Sequence, residues 1–172
     1  MLVVLLIIGL VVAGAVLAFG TTGRDSELER ERDRLVGLIA YVRERGGMLT
    51  LEYGLRCTLQ SYAFSVYDSR QAQWIADNSD EVLRERELPA GLTLKLTVEG
   101  HDIVLLDKTR NTTEQLKDDT KTTYTPQILL FSNGDMNSFA LTLTRAGSGR
   151  SVTVRTGEDG QLAVGDVTEP AR

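Results

Sequence analysis

Cys57 and His101 are the only cysteine and the only histidine in the chain. One thiol excludes an intrachain disulfide, and one imidazole leaves no Cys/His set for zinc. Cys57 stands in Leu55-Arg56-Cys57-Thr58-Leu59, where alternation places it on a face with two leucines, so it reads as a buried structural thiol rather than a nucleophile. His101 follows Glu99-Gly100 and precedes Asp102 at an expected hairpin turn, where a solvated imidazole without a second ligand is the expectation. The acids Asp107, Asp118 and Asp119 could attract calcium, but the regular ligand spacing of a calcium hand is missing. Asn111-Thr112-Thr113 has the form of a glycosylation acceptor and otherwise reads as an ordinary polar loop. Trp74 is expected to anchor an irregular stretch onto a sheet rather than bind a ligand. Arg84, Arg86 and Lys95 form no dense basic cluster interleaved with aromatics, so no nucleic-acid partner is expected. No P-loop, dinucleotide fingerprint, nucleophile elbow or metalloprotease helix motif occurs. No catalytic residue, cofactor or metal site is therefore expected.

What remains to explain is the distribution of charge. The chain has 172 residues, 42% hydrophobic, with 19 basic against 24 acidic side chains, which is room for one domain with a modest acidic excess. That excess argues against a general attraction to phosphates or anionic lipid. Residues 1–23 carry no charged side chain, whereas residues 24–34 read RDSELERERDR. At ~1.5 Å per residue, an uncharged helix of that length spans about 35 Å, enough to cross a bilayer core of roughly 30 Å. Ala13-Gly14-Ala15 has the look of a signal-peptidase site, but apolar residues continue through Val16, Leu17 and Phe19, so a retained anchor is preferred. Arg24, Arg30, Arg32 and Arg34 just beyond it would, by the positive-inside rule alone, hold the body in the cytoplasm.

From residue 24 to 46, Leu28, Leu35, Ile39 and Val42 form one apolar stripe of a helix. Around it stand the bases Arg24, Arg30, Arg32, Arg34, Arg43 and Arg45 and the acids Asp25, Glu27, Glu29, Glu31, Asp33 and Glu44, expected as a solvated face with local pairing. Gly46-Gly47 is the expected stop. The period then falls to two. Leu92, Leu94, Leu96 and Val98 alternate with polar residues, as do Tyr62, Phe64 and Val66, then Phe139, Leu141 and Leu143, then Val152 and Val154. Ile128 to Phe131 reads as a central strand. Ser132-Asn133-Gly134-Asp135, Gly147-Ser148-Gly149 and Asp159-Gly160 supply turns. Asp68 to Ala90 and the long loop 107–126 read as irregular. The expected fold is α+β: a membrane or filament helix over 1–23, an amphipathic continuation over 24–46, and a β-rich globular domain of antiparallel sheets over 47–172.

Residues 1–20, MLVVLLIIGLVVAGAVLAFG, resemble the N-terminal helix of type IV pilins and type II secretion pseudopilins, with Gly9 where that family's helix carries its glycine. Leu17 departs from the kinking proline many pilins place there. Residues 83–100, LRERELPAGLTLKLTVEG, and 126–143, PQILLFSNGDMNSFALTL, are similar to the minor pseudopilin H family of the type II secretion system. The order of stem, amphipathic helix, Trp74, Leu88-Pro89-Ala90-Gly91, Pro126-Gln127-Ile128 and Ser132-Asn133-Gly134-Asp135 extends the resemblance along nearly the whole chain, and loop 107–126 is placed like a variable loop of that family.

The resemblance implies a pilin-like, single-pass inner-membrane protein with its body in the periplasm. It implies cleavage and N-methylation by the prepilin peptidase at a site expected upstream of Met1, whose leader would also resolve the orientation conflict. It further implies assembly into a pseudopilus beside major pseudopilin G and minor pseudopilins I, J and K, with secreted cargo or the secretin as further contacts. Leu2, Leu5, Leu6, Ile8, Gly9, Val12, Ala13 and Leu17 are the expected membrane and filament packing residues. Gly14, Ala15 and Ala18 add small surfaces for close backbone approach. Two other classes fit the same stem: a minor pilin of a type IV pilus, in assembly or DNA uptake, and a membrane-tethered periplasmic enzyme. The first needs an exposed basic surface, whereas residues 157–172 are acidic on balance; the second needs a polar cluster that no motif supplies.

Overall fold

The computed structural model describes the backbone of residues 2–77, 79–107 and 125–169, with side chains described from residue 26 onward in those ranges. One helix, α1, runs unbroken from Leu2 to Leu49, without a proline to interrupt it. It ends three residues beyond Gly46, not at the expected Gly46-Gly47 stop. The left-handed residue is Thr50 (φ 54°), and the Leu51 N–H closes back on the Gly46 carbonyl at 3.0 Å. That six-to-one bond is a Schellman ending. Gly46 serves close approach instead: an added Cβ would sit 2.9 Å from the Leu51 carbonyl oxygen and 3.4 Å from the Tyr53 ring. Among residues with described side chains no helix is long and apolar enough to cross a membrane, and the expected anchor over 1–23 lies outside those residues.

Ten strands follow: β1 (Tyr53–Cys57), β2 (Ser61–Asp68), β3 (Gln73–Ala76), β4 (Arg86–Glu87), β5 (Leu92–Val98), β6 (His101–Ile103), β7 (Ile128–Leu130), β8 (Phe139–Arg145), β9 (Ser151–Thr156) and β10 (Leu162–Val164), with one 3-10 turn at Glu81–Leu83. They form two antiparallel sheets. The first has the order β3-β2-β1-β7, with β4 also on β2; the second has the order β10-β9-β8-β5-β6. The chain builds β1 to β4, leaves for β5 and β6, returns for β7 and leaves again, so neither sheet is contiguous in sequence. The β1–β2 turn ties them: Leu59 donates to the Leu106 carbonyl at 3.2 Å and accepts from the Leu94 N–H at 2.9 Å.

The alternating segments occupy strands, and β8 and β9 show the expected burial, with every second side chain from Phe139 to Arg145 buried; β2 differs, because both its faces are buried from Ser61 to Ser65 while Val66 is only half-buried. The stretch from Asp68 to Ala90 is not irregular throughout, since it holds β3, the 3-10 turn and β4. Nor is Ile128 to Phe131 a central strand. Among the strands β7 neighbours only β1, and on its outer side the returning chain takes the place of another strand through an isolated bridge of Met136 to Leu130 and through Asn137. Its Oδ1 accepts from Leu129 N–H at 2.8 Å, its own N–H donates to Leu129 C=O at 3.3 Å, and its Nδ2 donates to Gln127 C=O at 3.2 Å. In loop 107–126, residues 108–124 lie outside the described residues, and with them the Asn111 sequon and Asp118-Asp119.

One core joins everything. Leu28, Leu35, Leu38, Ile39 and Val42 of α1 belong to the same buried cluster as Leu55 and Phe64 of the first sheet and Leu96, Leu141 and Val154 of the second. On the first sheet, Gly54 of β1 lies under the Pro126 ring and Trp74: a Cβ there would fall 2.2 Å from Pro126 Cγ and 3.2 Å from Trp74 Cζ3. Trp74 also packs on Tyr67, with centroids 5.3 Å apart, so it anchors β3 on the sheet as expected.

Candidate functional site: the stem helix and its grip on the body

The expected packing residues Leu2, Leu5, Leu6, Ile8, Gly9, Val12, Ala13 and Leu17 belong to α1, but their side chains lie outside those described. What the structure defines is how the same helix is held farther along. At about 100° per residue, Leu28, Leu35, Leu38, Ile39 and Val42 fall within one arc, and all are buried. Glu31 falls inside that arc and is 3% exposed. The charged face expected to be solvated is therefore partly drawn into the body.

Glu31 is fully engaged. Its Oε1 accepts from the Tyr62 hydroxyl at 2.7 Å and from Arg86 Nε at 2.9 Å, and its Oε2 accepts from Arg86 Nη2 at 3.2 Å. The two-pronged guanidinium contact supplies the partner a buried carboxylate requires. Burial, then the neighbouring carboxylate, pushes the Tyr62 hydroxyl well above the usual phenol range, so it remains a donor. One turn earlier, Glu27 accepts from Arg145 Nη2 at 2.8 Å, while Arg145 Nη1 donates to the Ala90 carbonyl at 3.0 Å.

Nearer its C-terminal end the helix reaches outward. Arg43 donates twice to the Gly134 carbonyl, at 2.6 and 3.1 Å, inside the turn that the Ser132-Asn133-Gly134-Asp135 signal marked. Arg45 donates to the Tyr53 hydroxyl at 2.9 Å, the Tyr41 hydroxyl at 3.3 Å and Ser79 Oγ at 3.1 Å. The Tyr53 hydroxyl in turn donates to Asp77 Oδ2 at 3.1 Å, and the Tyr41 hydroxyl donates to Asp80 at 2.6 Å. That Tyr41 bond, with the Val82 N–H next in weight, holds the Asp80 carboxyl below its ordinary range. Glu27 and Arg45 flank one side of the apolar arc and Arg43 the other. Held on both flanks and gripped in the middle, the helix is fixed against rotation.

These polar contacts were not foreseen individually. One signal was available: Glu31 stands three residues after Leu28 and four before Leu35, the spacing of the stripe itself. The other marked residues do not converge. Cys57 is 2% exposed and burial pushes its thiol up to about 12. His101 begins β6 after Glu99 (φ 50°) and Gly100 (φ 78°), a type I′ turn, and lies exposed with Nδ1 2.9 Å from the Glu99 carbonyl oxygen. Arg84 pairs with Glu81, Arg86 with Glu31 and Lys95 with Asp102. Among the described residues no group of three or more His, Cys, Asp or Glu is placed to hold a metal ion.

Two measurements test whether Cys57 and His101 take part in any chemistry. Cys57 in the native chain is expected to resist an alkylating reagent at pH 8 for hours and to react within minutes in denaturant, read by intact mass, because a buried thiol pushed that high supplies almost no thiolate. His101→Ala is expected to leave melting temperature and secretion within error of the parent.

The family model described as Type II transport protein GspH matches residues 33–160. Type II secretion system protein H of Pseudomonas aeruginosa is 30% identical over 155 residues, spanning 90% of this chain and 85% of that protein. The corresponding protein of Aeromonas hydrophila is 28% identical over 144 residues, spanning 84% and 76%. The crystal structure of the minor pseudopilin EpsH from the type II secretion system of Vibrio cholerae superposes with a TM-score of 0.64 at 18% identity, covering 81% of this chain and 95% of that one. The span matched by the family model takes in the helix from Asp33 onward, strands β1 to β9 and the Asn137 edge. On fold, family match and sequence identity together, the chain belongs to the GspH family of type II transport proteins.

Proposed function

We propose that this chain is a minor pseudopilin of a type II secretion system, a non-catalytic subunit that carries its body on a stem shared between membrane and fibre. The observation that carries this reading is the continuity of α1: one helix joins an uncharged segment of 23 residues to a body that buries the helix's other end. An uncharged stem rests in the inner membrane before assembly and packs beside other stems afterwards, exchanging one apolar surrounding for another. Because the exchange has little net hydrophobic driving force, subunits can enter and leave the fibre reversibly. The body then lies in the periplasm, near the fibre tip, between major pseudopilin G and minor pseudopilins I, J and K, and the fibre moves folded cargo toward the secretin.

The test uses the full chain, tagged and held in detergent, offered separately to purified G, I, J and K and to duplex DNA. Retention of at least one pseudopilin, with DNA washed through, is expected. Retention of DNA alone would favour a pilus subunit for DNA uptake and overturn the reading.

A further inference from the structure

The grip on α1 is unevenly made. Beyond Leu35 the helix is held by Leu35, Leu38, Ile39 and Val42, all buried, and by its Schellman ending; before Leu35, Leu28 is the one buried apolar side chain described. Where apolar contact is thinnest stand the two ion pairs Glu27–Arg145 and Glu31–Arg86. The two guanidiniums come from opposite layers: Arg86 lies in β4 of the first sheet, and Arg145 ends β8 of the second.

We propose that Glu27 and Glu31, gripped by Arg145 and Arg86, form an exit clamp that fixes the angle at which the stem leaves the body and keeps the helix from peeling away when the stem is loaded. The part concerned with mechanical load rests on the pseudopilin reading above; the geometric part does not. Apolar packing is non-directional and allows a helix end to rock, whereas a two-pronged carboxylate–guanidinium contact holds direction as well as distance. A buried ion pair adds little stability over well-packed apolar residues of similar size, so its presence in an otherwise aliphatic arc points to fixing of geometry. The helix end nearest the stem would otherwise be the first part of the domain to open. One arginine from each sheet makes the clamp a bridge: the buried, two-pronged Glu31–Arg86 pair supplies the directional hold, and the half-exposed Glu27–Arg145 pair adds a weaker tie to the second layer.

The test replaces the buried grip by apolar residues of similar volume: Glu31→Leu, Tyr62→Phe and Arg86→Met together, in the full chain in detergent. Spin labels at Arg30→Cys and Glu158→Cys report the exit, and labels at Glu44→Cys and Glu158→Cys report the far end of the helix. Cys57 remains in place because it is buried. With melting temperature within a few degrees of the parent, the 30–158 distance distribution is expected to widen at least twofold while the 44–158 distribution stays narrow, and secretion is expected to fall about tenfold.

An unchanged 30–158 distribution would overturn the clamp, and equal widening of both pairs would reduce it to general packing. Widening at the exit with undiminished secretion would overturn its part in bearing load. If the triple variant fails to fold, Glu31→Gln, which preserves shape and the Tyr62 bond but removes the charge, is expected to widen the 30–158 distribution alone; no widening there sinks the proposal. Cells that secrete normally without the chain at all would refute the pseudopilin reading and leave the distance measurements to decide the clamp.

Discussion

Val12→Asp is expected to abolish secretion while the body stays folded. A carboxylate near the middle of a membrane segment costs roughly 2.5 to 3.5 kcal/mol on insertion scales, on the order of a hundredfold in partitioning. The same group would lie unpaired among neighbouring stems once a fibre formed, so lipid and filament both reject it. Gly9→Arg adds bulk to charge at a position read as a close-approach site, and the same loss is expected. The body is unaffected because every described core residue lies at or after Leu28. The measurement compares exoprotein in medium and periplasm at matched chain levels, with resistance of the body to brief trypsin treatment as the folding control. Secretion within twofold of the parent for either variant would count against a stem that works by being uncharged.

The second large effect is a pair of identical substitutions with opposite signs. Gly54→Ala places a methyl 2.2 Å from Pro126 Cγ and 2.5 Å from its Cβ, with Trp74 3.2 Å away on the same face. No rotamer relieves a Cβ, so Pro126 or the strand must move, and a loss of about 3 kcal/mol, at the upper end for overpacking, is expected. For a chain of this size that lowers the melting temperature by roughly 6 to 12 °C. Gly37→Ala meets nothing within 4 Å on the exposed side of α1 and removes the backbone freedom of a mid-helix glycine. It is expected to add about 0.5 to 1 kcal/mol. Thermal unfolding of the two variants decides both; equal shifts of one sign would contradict the packing described around Gly54.

Much of this architecture was legible because it follows from period. β5 and β8 alternate strictly, the stripe from Leu28 to Val42 keeps helical spacing, and Glu99-Gly100 can serve only as a tight turn. The failures share a cause. β3, β4 and β10 have four, two and three residues, none fully buried, so too little alternation exists to detect. β7 reads as central because its apolar run is continuous, yet its outer edge is closed by the backbone and the Asn137 side chain of the returning segment 135–137 rather than by another strand. The helical conformation of the uncharged run could be read from hydropathy alone. The partners of Glu31 and Glu27 could not, since Arg86 and Arg145 are 55 and 118 residues away and only the completed topology brings them together.

The amide of Asn137 has a bearing on storage as well as on shape. Where copies of the chain crowd together, an open sheet edge would template pairing between them. Along β7 the outward N–H of Leu129 and the carbonyls of Gln127 and Leu129 are already occupied by one residue. That edge offers a neighbour no ladder to extend. Copies can therefore stand side by side without pairing through it.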